Sequence, residues 1–173
     1  IQVEHIFPSR DEILQAAQSH FDELWQKTLD DYSETSCREY GCAVYLDTQD
    51  GGKEDYIYED IPGEIKSPDY TEISTPIHLK DFYNKDFSGN IKFSWGACFH
   101  THPPIEYAPK EAFRPVGPSN PDINTKLPYD APGIVYDYIG VIDSTDNKYY
   151  IYSGDKKDME GMIYFYGSEK RPN

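Results

Sequence analysis

Ile91-Lys92-Phe93-Ser94-Trp95-Gly96-Ala97-Cys98-Phe99-His100-Thr101-His102-Pro103 is the stretch that decides the fold. Phe93, Trp95, Ala97 and Phe99 recur at steps of two, which predicts a half-buried strand over 91–99. That strand delivers His100 and His102 to its C-terminal end, and Pro103 stiffens the exit. Residues two apart on extended chain share a side, so both imidazoles can reach one cation at about 2 Å. The same rule puts Cys98 on their face. We read it as a small buried residue beneath the site, with a fourth soft ligand as the alternative.

Upstream, Ser9 and Glu12 make a capping box, and Ile13, Leu14, Ala17, Phe21, Leu24, Trp25 and Leu29 follow at three- and four-residue steps. An amphipathic helix over about 10–31 is predicted, packed on a sheet. From Gly41 the period changes. Cys42-Ala43-Val44-Tyr45-Leu46, the turn residues Asp50-Gly51-Gly52 and Tyr56-Ile57-Tyr58 read as a β-hairpin. Pro62 to Pro76 reads as a loop with one edge strand at most, and Leu79 to Tyr83 as a short helix. Pro103 to Pro118 is too proline-rich for a regular helix or a central strand, so an ordered loop or flap is expected there. Ile134–Ile142 and Tyr149–Tyr152 suggest a second hairpin, and Met162–Tyr166 a last strand. The alternation of helix and strand predicts an α/β (α+β) fold, in one domain spanning 1–173.

Composition narrows the function classes. Of 173 residues, 31 are acidic and 16 basic, and the formal net charge of −15 repels phosphate backbones and anionic lipid surfaces. Nucleic acid is therefore not an expected partner. No apolar run reaches the eighteen or so residues of a membrane span, and no signal-peptide pattern is present. A chain that begins with Ile1 predicts that an upstream segment has been removed. Cys37, Cys42 and Cys98 cannot all pair with one another and leave the compartment open. The sixteen tyrosines are read as amphipathic strand residues.

Pro118-Ser119-Asn120-Pro121-Asp122 answers the two histidines. With Asp122 as third ligand, the nitrogen and oxygen donors suit zinc and leave one position open, the mark of a catalytic site. Hydrolysis then needs a carboxylate to move a proton. Glu39, just before the strand starting at Gly41, is the choice, with Glu54, Glu59 and Glu64 as competitors. Ser119 either donates its hydroxyl to an oxyanion or caps the turn that positions Asp122. Cys98 and His100 as nucleophile and base is a weaker enzymatic reading. His5, His20 and His78 lack companions in the sequence and read as surface or packing residues.

Glu39-Tyr40-Gly41, His100-Thr101-His102-Pro103 and Ser119-Asn120-Pro121-Asp122 together resemble the Glu, His-x-His-Pro and Ser-x-x-Asp elements of the JAMM (JAB/MPN-type) zinc metalloproteases, in the same order. Over roughly 10–155 the chain looks most like the JAB-like domains of bacterial secreted toxins and effectors. The resemblance implies Zn2+ on His100, His102 and Asp122, Glu39 as general base and Ser119 as oxyanion stabiliser. The reaction it implies is hydrolysis of a peptide or isopeptide bond in a protein or peptide substrate, by a secreted or exported bacterial protein. It also implies a twisted mixed β-sheet flanked by helices, similar to the cytidine deaminase fold. A non-catalytic JAB/MPN-like protein-binding domain is the alternative function. A zinc deaminase is set aside because the Pro-Cys-x-x-Cys element is missing. The spacing departs from the family: nineteen residues separate His102 from Asp122. The excess lies in the insertion over about 103–118, readable as a lid, and it leaves Glu106, Glu111 and Asp130 as competing third ligands.

Overall fold

The computed structural model describes residues 7–33, 36–47, 55–65, 93–103, 113–124, 126–127, 130–138, 141–142, 149–152 and 160–171. The fold is α+β. Helix α1 (Arg10–Asp30) is followed by β1 (Tyr40–Asp47), β2 (Asp55–Pro62), β3 (Phe93–Thr101), β4 (Phe113–Pro115), the short helix α2 (Asn120–Asn124), β5 (Gly133–Tyr138), β6 (Val141–Ile142), β7 (Tyr149–Tyr152) and β8 (Gly161–Tyr166). The expected Asp50-Gly51-Gly52 turn, the helix near Leu79–Tyr83 and most of the loop from Pro62 to Pro76 lie outside the described residues.

Helix α1 starts where its cap dictates. Ser9 is extended, and its side chain accepts from the Glu12 backbone N–H at 3.2 Å. Asp11 and Glu12 in the first turn and Lys27 in the last complement the helix dipole. Ile13, Ala17, Phe21, Leu24 and Trp25 are buried on one face.

That face lies on a five-stranded mixed sheet of order β2-β1-β3-β5-β8. The pairings β1–β2, β1–β3 and β5–β8 are antiparallel, and β3–β5 is parallel. Ile13, Ala17, Phe21 and Leu24 meet Cys42, Val44, Ala97, Phe99 and Ile134 in the main core. Phe21 stacks on Phe99 with ring centroids 4.0 Å apart, and each fully buried ring contributes about 1.5–3 kcal/mol. Strand alternation sends the neighbours of these residues to the opposite face. There Cys98, Val135 and Tyr166 pack with Leu127, and Ala43 and Tyr45 pack with Ile61.

Three strand expectations are corrected. Strand β3 runs on to Thr101, so His100 lies within the strand and His102 just after it. Pairing with β5 carries the strand that far, His100 opposite Val135 and Thr101 opposite Tyr136, and Thr101 is also held from the helix side. Thr28 Oγ1 donates to Leu24 O at 2.9 Å, Thr101 donates to Thr28 Oγ1, and Thr101 Oγ1 accepts from Tyr40 N at 2.9 Å. The stretch Ile134–Ile142 is not one strand: Gly133–Tyr138 joins the large sheet, whereas Val141–Ile142 pairs with Tyr149–Tyr152 in a second sheet of order β4-β7-β6. The proline-rich segment contributes a three-residue strand, Phe113–Pro115. It is an edge strand, where a proline costs the ladder least. Among the described residues no helix is long and apolar enough to cross a membrane.

Candidate metal centre

The site forms where β1 begins beside the C-terminal ends of β3 and β5. Gly41 pairs with His100, and His100 pairs in parallel with Val135. The two-residue alternation therefore places Cys98, His100 and His102 on the face shared by Gly41 and Val135. His102 leaves the strand with its backbone N–H donating to Tyr136 O at 2.9 Å, so its exit from the strand is held by β5.

Asp122 comes from α2, and Ser119 explains why it arrives. Asp122 N donates to Ser119 Oγ at 3.2 Å, and Ser119 N donates back to Asp122 Oδ2 at 2.8 Å. This reciprocal pair is a capping box with Asp in the Glu position. The capping reading of Ser119 is thus seen directly, and it aims the Asp122 carboxylate at the histidines. His100 Nε2 lies 3.3 Å from Asp122 Oδ1, His102 Nε2 lies 3.2 Å from Asp122 Oδ2, and the two Nε2 atoms are 3.2 Å apart.

These separations test the fit of a cation. Donors about 2.0–2.1 Å from a tetrahedral zinc stand about 3.3–3.4 Å from one another. The two imidazole nitrogens stand at 3.2 Å, and each faces a different Asp122 oxygen at 3.2–3.3 Å, so two imidazoles and one carboxylate could hold a zinc-sized ion once one oxygen turns between the two nitrogens, with a fourth position open. The donor set excludes neither cobalt nor another borderline metal.

Sequence reasoning missed Asp137. It is fully buried, and its Oδ2 accepts from His102 Nδ1 at 3.0 Å and from the Gly117 backbone N–H at 3.0 Å, while Oδ1 accepts from Tyr138 N at 2.7 Å. A carboxylate on Nδ1 fixes the tautomer and leaves Nε2 facing the other donors. The same carboxylate ties the chain leading into α2 to the sheet. Gly117 adopts φ +89°, and a Cβ there would stand 3.0 Å from the Tyr164 ring, so glycine suits this approach. The signal in the sequence was one acidic residue inside the apolar run Gly133–Tyr138.

Electrostatics follow from these contacts. Burial by itself would lower the pKa of His102, but its bonds to Asp122 and Asp137 and their charges outweigh it and push the value up to about 10. Burial would raise Asp122, yet His100 and His102 hold its carboxyl far below the usual carboxylate range. In the metal-free protein the cluster is thus a cationic imidazole clasped between two carboxylates.

Glu39 is 7% exposed and immediately precedes β1. Continuing the register beyond Gly41–His100 puts it alongside His102, on the same face. Its carbonyl accepts from Gly63 N at 2.8 Å, and the neighbouring Tyr40 N–H is anchored on Thr101. Tyr166 places both carboxylates near one ring. Burial and then the charges of Asp122, Cys98 and Glu39 push its hydroxyl well above its ordinary pKa. That ring crosses Gly133, where a Cβ would stand 2.2 Å from it, and its centroid is 6.0 Å from the His100 ring.

The competitors fare differently. Glu59 is partly buried and Glu64 exposed, both on or just after β2; Glu54, Glu106 and Glu111 lie outside the described residues. Asp130 is exposed at φ 54° and is not among the metal-capable donors. Cys98 is buried with Leu127, Val135 and Tyr166, and burial pushes its thiol up to about 12, which fits a packing residue rather than a nucleophile. His5 and His78 lie outside the described residues. His20 does not stand alone as expected: its Nε2 is 2.6 Å from Asp60 Oδ1. No protein family, curated protein or solved structure matches the chain.

Proposed function

We propose that the chain is a zinc-dependent hydrolase of the JAMM type that cleaves a peptide or isopeptide bond, serving as the effector domain of a larger secreted bacterial protein. The observation that carries this reading is the convergence of the His100, His102 and Asp122 ligand atoms within 4.8 Å of one another, with Glu39 buried on the same face. A helix laid on a mixed sheet, with the site at the ends of its central strands, supports a JAB/MPN-like fold similar to the cytidine deaminase fold.

In this reading His100, His102 and Asp122 hold the ion and Asp137 orients His102. A bound zinc supplies Lewis acidity and acidifies water toward a pKa of about 7. Glu39 accepts the proton of the attacking water and returns it to the leaving nitrogen. Ser119 Oγ accepts from Asp122 N, and its own O–H is left to donate to the developing oxyanion. The acidic surface favours neutral or basic substrates over polyanions.

The test is cleavage of a peptide mixture and of isopeptide-linked protein conjugates by the zinc-loaded chain, read by mass spectrometry beside Glu39→Gln. Glu39→Gln is expected to keep its metal and lose about 10²–10⁴-fold in rate. Undiminished cleavage by that variant rejects Glu39 as the base. Absence of any cleavage by the zinc-loaded wild-type chain favours a binding domain instead.

A further inference from the structure

A second group of donors sits on the other face of the sheet, unconnected with the site above. Cys42 of β1 and Asp60 of β2 are directly paired across the antiparallel ladder, so their side chains share a face. That face is covered by α1, which brings His20 over the pair. The His20, Cys42 and Asp60 ligand atoms all lie within 4.8 Å of one another. The His20 ring is stacked on Tyr58, centroids 4.6 Å apart and planes 16° from parallel. Tyr58 stands two residues before Asp60 on the same face, so the stack presents the edge of the imidazole to the carboxylate. Cys42 is fully buried at the floor of the group, while Asp60 is exposed at its mouth.

We propose that His20, Cys42 and Asp60 form a second metal site, taking one borderline divalent ion such as zinc or cobalt and clamping α1 to the β1–β2 edge. Thiolate, imidazole and carboxylate from three elements match what such ions accept, whereas magnesium and calcium call for oxygen donors. Zinc would need nitrogen and oxygen donors about 3.3 Å apart and sulfur slightly farther, so binding opens the 2.6 Å His20–Asp60 contact modestly. Burial, then the charges of Asp60 and Cys98, hold the Cys42 thiol well above its ordinary pKa in the metal-free chain. Binding therefore breaks the S–H bond, forms the sulfur–metal bond and releases one proton to solvent. The exposed mouth leaves the fourth position to water, and the ion joins α1 to β1 and β2.

Sulfur distinguishes this site from the first, which has no thiolate donor. Titration of the full chain with Co2+ is expected to produce a near-ultraviolet sulfur-to-cobalt charge-transfer band that saturates by about two equivalents per chain, since each group takes one ion, and by about one equivalent in His100→Ala, His102→Ala. The band should persist in His100→Ala, His102→Ala and disappear in Cys42→Ser. Because Cys42 is in the core, His20→Asn, at a partly exposed position, serves as the second variant; it should keep the circular dichroism of the wild type and lose the band. Saturating cobalt without such a band overturns the proposal, as does a band unchanged in Cys42→Ser or in folded His20→Asn. None of these outcomes bears on the His100, His102 and Asp122 group.

Discussion

The two faces of one strand do opposite work. On β3, Ala97, Phe99 and Thr101 turn toward α1, and Cys98, His100 and, just past the strand end, His102 turn away from it. The first face is built from apolar rings and a hydroxyl chain, and it holds the sheet to the helix. The second gathers Glu39, Asp122 and Asp137 around two imidazoles. Such a concentration of buried charge is costly for stability, since each ion must be repaid by partners. The rigid apolar face is what allows the polar one to keep its geometry. Thr101 shows the connection, because it stands between the two histidines and anchors Tyr40, the neighbour of Glu39, from the helix side.

The comparison breaks most visibly on the apolar side. Phe21→Ala removes the ring stacked on Phe99 and should cost about 3–5 kcal/mol in chemical denaturation. The folded fraction should still bind metal at the His100 group, and a parallel loss of metal from folded protein would show that the faces are not separable.

A smaller effect is expected on the polar side. Asp137→Asn keeps the size of the side chain but weakens its hold on His102 Nδ1, so metal affinity in a competition titration should fall about 10–100-fold. Unchanged affinity would mean that Asp137 serves the loop at Gly117 and not the ligand.

The smallest effect per step is in pH. The pKa of His102 is raised to about 10 in the metal-free fold, against about 6.5 for an ordinary histidine. Its proton therefore stabilises the metal-free fold fully below about pH 6.5, and that contribution is lost as pH rises through about 10. Metal must displace the same proton, so apparent metal affinity should climb across that interval by at most about tenfold per pH unit. Competition with a chelator of known pH dependence measures it; a flat profile would contradict the clasped, protonated imidazole.

Much of this was legible in the sequence because it is local. The Ser9 cap and the three- and four-residue steps that follow place α1 to within a residue of Arg10–Asp30. The alternation from Ala97 through Phe99 and the Ser119–Asp122 offset mark two parts of the metal group, which the fold brings together, whereas a register shift opposite Val44 and Tyr45 turns Trp95 to the other face from Ala97 and Phe99. What was illegible depends on partners far along the chain. Asp137 becomes meaningful only once β5 lies parallel to β3, and a lone acidic residue in an apolar run does not reveal its neighbour. His20 read as solitary because its companions are set by the β1–β2 register, which pairs Cys42 with Asp60. The stretch 134–142 reads as continuous because side-chain pattern does not say that its two ends join different sheets.

The central claim is that His100, His102 and Asp122 together hold one metal ion. Native mass spectrometry of the chain dialysed against zinc, beside the His100→Ala, His102→Ala variant, tests it most directly. The wild type is expected to carry one zinc more per chain than the folded variant; equal zinc in the two would contradict the claim.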